Sequence, residues 1–188
     1  EILKAKGIEA VADLRSQPFS KREPAYSRDP LKAFLESAGL LYVFLGKELG
    51  ARREESECYL DGVARYELID KTSAFADGLD RLRKGSAKYR IALFCAEKDP
   101  LTCHRAILVG RLLAAEGYPM THLSADGSEE DQESLENRLL QEEGKSSKEI
   151  DFESGNLKPR EQMLGECYTA RAESMAYREN PEDAGVTR

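Results

Sequence analysis

The residues best able to do chemistry are gathered in one run, LFCAEKDPLTCHR, residues 93–105. It holds two thiols (Cys95, Cys103), an imidazole (His104), carboxylates (Glu97, Asp99) and cations (Lys98, Arg105). A structural zinc site wants four ligands in short paired spacings, whereas these cysteines lie eight apart. Cys103 and His104 are adjacent, and on a helix neighbours point about 100° apart, so no metal is expected here. A phosphate-binding loop of the G-x-x-x-x-G-K-[ST] kind fails for want of glycine. A phosphatase-type loop, with arginine six places after the cysteine, fails because Leu101 stands there. What remains is thiol chemistry at a helix start. Asp99 and Pro100 read as N-cap and first helical residue, which puts Cys103 in the first turn beside His104 and Arg105. A helix dipole and nearby cations favour a thiolate. Cys103 is therefore the candidate nucleophile or redox thiol, with Cys95 as resolving partner; simple packing of both at a strand–helix joint is the competing reading. His104 and Glu97 are candidate acid–base groups.

The elements that must position these groups alternate. An apolar segment, IEAVADL (8–14), reads as a buried strand. The loop RSQPFSKREPAYSRD follows, then a helix read as starting at Asp29 and Pro30, then the strand LLYVFL (40–45). Strand, helix and strand with short joints form a βαβ unit with parallel strands. Helical segments are expected at about 57–68 and 71–84, a third strand at YRIALFC (89–95), and a helix from Pro100 to about Gly117. YPMTHL (118–123) reads as a fourth strand and ESLENRLLQEE as a short amphipathic helix. The predicted fold is α/β, a three-layer Rossmann-like domain whose mostly parallel sheet has about four strands in this chain. That domain spans 1–143; residues 144–159 read as a linker or irregular excursion, and 160–188 as a C-terminal helix and flexible tail.

Ligands of open parallel sheets bind outside the carboxyl ends of the strands. Basic residues follow each predicted strand: Arg15, Lys21 and Arg22, then Lys47, Arg52 and Arg53, then Lys98 and Arg105, with His122 near the end of the fourth. Asp13 closes the first strand, where pairing with an arginine is expected. Parallel strands would bring these loops to one edge, a pocket for a phosphate, a nucleotide or a carboxylate. Scattered surface charge is the bland alternative in a protein with 34% charged residues.

Net charge is −7, unevenly spread: residues 1–125 hold 20 Lys+Arg against 18 Asp+Glu, and residues 126–188 hold 8 against 17. The acidic excess argues against bulk non-specific nucleic-acid binding. No apolar run approaches the ~20 residues of a membrane span, no basic-then-apolar leader opens the chain, and a cytoplasmic location is the default expectation. Four unevenly spaced cysteines suggest thiols rather than a disulfide framework.

Four ordered segments, VADLRSQPFSKREPAYS, YVFLGKELGARR, LFCAEKDPLTCHR and THLSADGSEEDQESLENRLL, together resemble the successive motifs of the family catalogued as domain of unknown function 488. The resemblance covers about residues 1–142 and implies a small α/β domain with no established reaction. By position the family's characteristic residues fall on Asp13, Arg15, Pro18, Arg22, Gly46, Gly50 and Arg53 in the first two motifs. They fall on Cys95, Glu97, Lys98, Asp99, Pro100, Cys103, His104 and Arg105 in the third, with His122 and Arg138 in the fourth. The family's opening strand, with a motif like T-I-G-H-S, is not found ahead of EILKAKG and is expected to be missing. Taken together, the expectation is a cytoplasmic enzyme with Cys103, His104 and Glu97 as catalytic groups. Its ligand, a phosphorylated or nucleotide-like small anion, is held by Asp13, Arg15, Arg22, Arg53, Cys95, Lys98, Arg105 and His122. No cofactor and no membrane are expected. A nucleic-acid-binding module, or a redox thiol protein using Cys95 and Cys103, is the alternative.

Overall fold

The computed structural model describes residues 1–146, 150 and 155–179. The chain is a mixed α/β protein with two compact units: Glu1–Ala96 together with the described residues from Ala176, and Glu97–Met175.

The first unit opens with one helical turn, α1 (Ile2–Ala5), and then β1 (Ala10–Asp13), which is buried along its whole length. A 3-10 turn (Pro24–Tyr26) leads into α2 (Arg28–Ser37), β2 (Leu41–Phe44) and the short α3 (Gly46–Leu49). A small hairpin, β3 (Tyr59–Leu60) and β4 (Val63–Ala64), precedes α4 (Tyr66–Ile69), α5 (Ser73–Ser86) and β5 (Ile91–Phe94). β1 lies in the middle of the sheet, parallel to β2 on one side and β5 on the other. Asp13 is level with both Phe44 and Phe94, so the three carboxyl ends share one edge. Leu31 and Leu35, one helical turn apart on α2, close over Val11 and Leu40, each buried leucine contributing about 1.5–3 kcal/mol. On α5, Gly78 lets α3 approach: a Cβ there would stand 2.7 Å from Leu49 Cγ.

The sheet has three strands, not about four. The strand expected at 118–123 is β6 (Thr121–Leu123) of the second unit, and it pairs antiparallel with β7 (Glu129–Asp131). A parallel strand needs a long crossover, whereas a hairpin needs only a turn. Asp126 and Gly127 supply that turn: Asp126 accepts from the Ser128 amide and Gly127 takes φ +85°. The helix expected at 57–68 is likewise replaced by the β3–β4 hairpin. Asp61 and Gly62 turn it with φ of +52° and +71°, the two positive values of a type I′ turn. The helix start also moves: Ser27 stands at the N-cap position of α2 without a side-chain capping bond, and Asp29 sits in its first turn, where its charge meets the positive end of the helix dipole.

In the second unit a 3-10 turn (Pro100–Thr102) is followed by a π-helical stretch (Arg105–Gly110) that continues into α6 (Arg111–Ala115). After β6 and β7 come α7 (Gln132–Glu142) and α8 (Arg160–Met175). α8 packs on α7 and on the 100–110 segment through Met163, Cys167, Tyr168 and Ala172. Of the expected linker, Ile150 and Leu157 form an isolated antiparallel bridge, while 147–149 and 151–154 lie outside the described residues, as does the tail from 180. Residues 177–179 run along the β3–β4 hairpin, with Ala64 N–H donating to Tyr177 O and Glu179 N–H to Gly62 O. No helix among the described residues is long and apolar enough to cross a membrane.

Candidate functional site

At the carboxyl edge of the sheet, the central strand ends on a carboxylate with no solvent exposure, Asp13. Its oxygens accept from Arg15 Nε (2.9 Å), Arg15 Nη2 (2.7 Å), the Arg15 amide (3.1 Å) and the Tyr42 hydroxyl (2.7 Å). Arg15 Nη1 donates to Tyr26 O at 2.7 Å, and the guanidinium lies over the Phe94 ring. Burial and the hydrogen bond to Asp13 push the Tyr42 phenol well above its usual range, so it stays protonated and donates. Burial works against the charge on Arg15, but the Asp13 hydrogen bonds and charge prevail and raise its pKa. Arg15 is thus a brace: it neutralises Asp13 and ties the following loop to the sheet.

The loop after β2 packs directly against that brace. A Cβ on Gly46 would lie 2.0 Å from the Arg15 carbonyl oxygen, and one on Gly50 2.2 Å from Ser16 Oγ. Only glycine permits this approach. The Arg52 amide donates to Ser16 Oγ at 2.9 Å, and the Arg52 guanidinium lies over Tyr177. Arg53 is buried, with Nη1 donating to the Lys47 and Glu48 carbonyls and Nε and Nη2 gripping the Glu55 carboxylate. It holds the end of α3. The exposed side chains of Lys21, Arg22 and Lys47 make no hydrogen bond or ion pair with the described residues. Cys95, just past β5, is buried and in no disulfide.

In the second unit Asp99 caps the 3-10 turn, accepting from the Leu101 amide at 3.0 Å. Arg138 grips Asp99 and the Glu130 carboxylate at once. Despite the cost of burial, these bonds hold Asp99 below the usual carboxylate range. The helix expected from Pro100 is interrupted: Cys103 is extended, with φ −131° and ψ 132°, and regular helical backbone begins at His104. Cys103 therefore sits at a joint rather than in a first helical turn. Its Sγ is 3.3 Å from Glu97 Oε2 and 3.8 Å from Arg105 Nη1. A ligating atom each from Glu97, Cys103 and His104 lie within 4.8 Å of one another. Arg105 also donates to the Glu97 and Lys98 carbonyls, pinning the loop, while the Lys98 side chain is exposed.

His122, on β6, is buried against Gln132, whose Oε1 is 3.1 Å from Nε2. Burial lowers its pKa, and the charges of Arg105 and Arg138 add to that. Gln132 also donates to the Tyr168 hydroxyl at 2.9 Å. Sequence reasoning missed Tyr42 and the Gln132–Tyr168 pair, whose signal was only a polar tip on an otherwise buried residue. Two open hollows, of about 350 and 450 Å³, also lie in the first unit. One is lined by residues such as Gly7 and Gly39 at the amino end of the sheet and the other by residues such as Glu57 and Thr72. Glu55, the partner of Arg53, lines the second hollow, and none of the other groups above lines either.

A family model described as domain of unknown function DUF488 matches residues 1–112. No curated protein and no solved structure matches the chain.

Proposed function

This chain belongs to the DUF488 family, and from that premise we propose that it binds a phosphorylated or nucleotide-like small anion at the carboxyl edge of its sheet. The observation that carries the reading is the packing of two cationic loops on each other, Arg15 and Ser16 against Gly46, Gly50 and Arg52. Exposed Lys21 and Arg22 follow Arg15 and Ser16 on the first of these loops, and exposed Lys47 lies on the second, which supports one shared cationic edge. The braces divide the labour. Arg15 and Arg53, each neutralised by its own carboxylate, fix the loops, and the exposed cations meet the ligand. In the second unit Lys98 offers a free charge, and Glu97, Cys103 and His104 form a proposed reactive centre. The parallel sheet suits Rossmann-like layering, and four cysteines outside any disulfide suit a reducing compartment such as the cytoplasm.

Thermal unfolding with inorganic phosphate, a nucleoside triphosphate and a short oligonucleotide tests the reading. The triphosphate should stabilise the chain with modest salt dependence, and Lys21→Ala/Arg22→Ala should abolish the effect. A stabilisation confined to the oligonucleotide and falling steeply with salt would favour a nucleic-acid-binding module instead. No stabilisation by any anion would overturn the proposal.

A further inference from the structure

We infer that the second unit holds a divalent transition metal, zinc or one of like chemistry, on Glu97, Cys103 and His104. The inference goes beyond the anion site of the first unit and stands without it.

The local backbone creates the convergence. Successive helical residues would splay Cys103 and His104 apart, but here Cys103 is extended and His104 opens the helix. The change of conformation between them turns two adjacent side chains toward one point, and the loop from Glu97 folds a carboxylate onto it. Ligands about 2.0–2.3 Å from a tetrahedral ion stand roughly 3.3–3.8 Å from one another. Cys103 Sγ and Glu97 Oε2 are already 3.3 Å apart. Glu97, Cys103 and His104, within 4.8 Å of one another, need to close by only about 1 Å, which side-chain rotation supplies.

Charge and surroundings fit as well. A thiolate and a carboxylate together carry two negative charges, which a divalent ion cancels where Cys103 is fully buried and His104 nearly so. Arg105 is the positioning residue: it donates to both loop carbonyls and directs Nη1 at the sulfur, the kind of outer-shell contact that orients metal ligands. The π-helical stretch starting at Arg105 is a rare conformation that recurs beside functional sites. The donor set is chemically selective. Thiolate with imidazole excludes magnesium and calcium, which take oxygen ligands, and suits zinc, cobalt or ferrous iron. These three donors leave one position of a four-coordinate ion to a further ligand.

The test is titration of Co²⁺ into the full chain freed of metal by chelation. A sulfur-to-cobalt charge-transfer band should grow to saturation near one equivalent and be displaced by Zn²⁺. Cys103→Ser should abolish the band, while Cys58→Ser keeps it. Glu97→Gln, at an exposed position that folding tolerates, should weaken binding by at least about tenfold, the loss that even an outer-shell partner produces. Absence of the band in the native chain would overturn the inference, whatever the variants do. So would a band that survives Cys103→Ser, or unchanged affinity in Glu97→Gln.

Discussion

Replacing Asp13 with alanine should be among the most damaging single changes in the first unit. Asp13 has no solvent exposure and accepts four hydrogen bonds, three from Arg15 and one from Tyr42. The individual bonds do not add, because removing the carboxylate chiefly strands a buried guanidinium. Breaking a buried pair in this way costs about 3–5 kcal/mol. Asp13→Asn keeps one acceptor oxygen but points an amide at a donor, so about 1–3 kcal/mol is expected. Arg15→Met removes the stranded charge, and Asp13→Ala/Arg15→Met should therefore cost less than the two single changes added. The coupling should fall within about 0.5–3 kcal/mol. Urea unfolding followed by circular dichroism measures the native chain and all four variants, and hydrogen exchange at the β1 amides localises the loss to the sheet. If Asp13→Ala cost under about 1 kcal/mol, or the two changes simply added, the brace would not exist and Arg15 would again be available to a ligand.

The chain has two histidines, so proton NMR with His122→Gln as the assignment control reads His122 directly. Burial should hold its pKa below about 6.5. The unfolded chain then takes up a proton that the folded chain refuses. The stability His122 contributes is intact above about pH 6.5 and is lost as pH falls toward the folded value. A folded pKa at or above 6.5 would contradict this. Gly46→Ala should destabilise the first unit by about 1–3 kcal/mol, since its Cβ would strike the Arg15 carbonyl at 2.0 Å. Gly165→Ala, mid-helix in α8 with open space around it, should stabilise by about 0.5–1 kcal/mol. Equal effects at the two glycines would show that the loop contact is not tight.

The βαβ core was readable because its signals agree: an apolar β-branched strand, a helix with leucines one turn apart, and a second strand across a glycine. Helix α5 and the C-terminal helix were legible for the same reason. The misreadings came where a turn outweighed a period. Asp61 and Gly62 carry a strong hairpin signal that the apolar spacing of 57–68 masked, and Asp126 with Gly127 folded the fourth strand back on its neighbour. At the site, the residue types were legible but their duties were not. Arg15 and Arg53 look like ligand-binding cations until Asp13 and Glu55 are seen to occupy them. The spacing argument sets Cys103 and His104 apart because it takes the helix to run unbroken from Pro100. Asp99 does cap a turn there, but only a three-residue 3-10 turn, and the extended residue after it reverses the geometric argument.

If exposed cations bind the anion while buried ones hold the loops, losing Lys21 and Arg22 should cost affinity and leave stability unchanged. Calorimetric titration of the native chain with a nucleoside triphosphate, beside Lys21→Ala/Arg22→Ala, measures this. The native chain should bind saturably, the double variant at least about tenfold more weakly, and both should melt at the same temperature without ligand. Equal affinity in the two chains, or no binding to either, would contradict it.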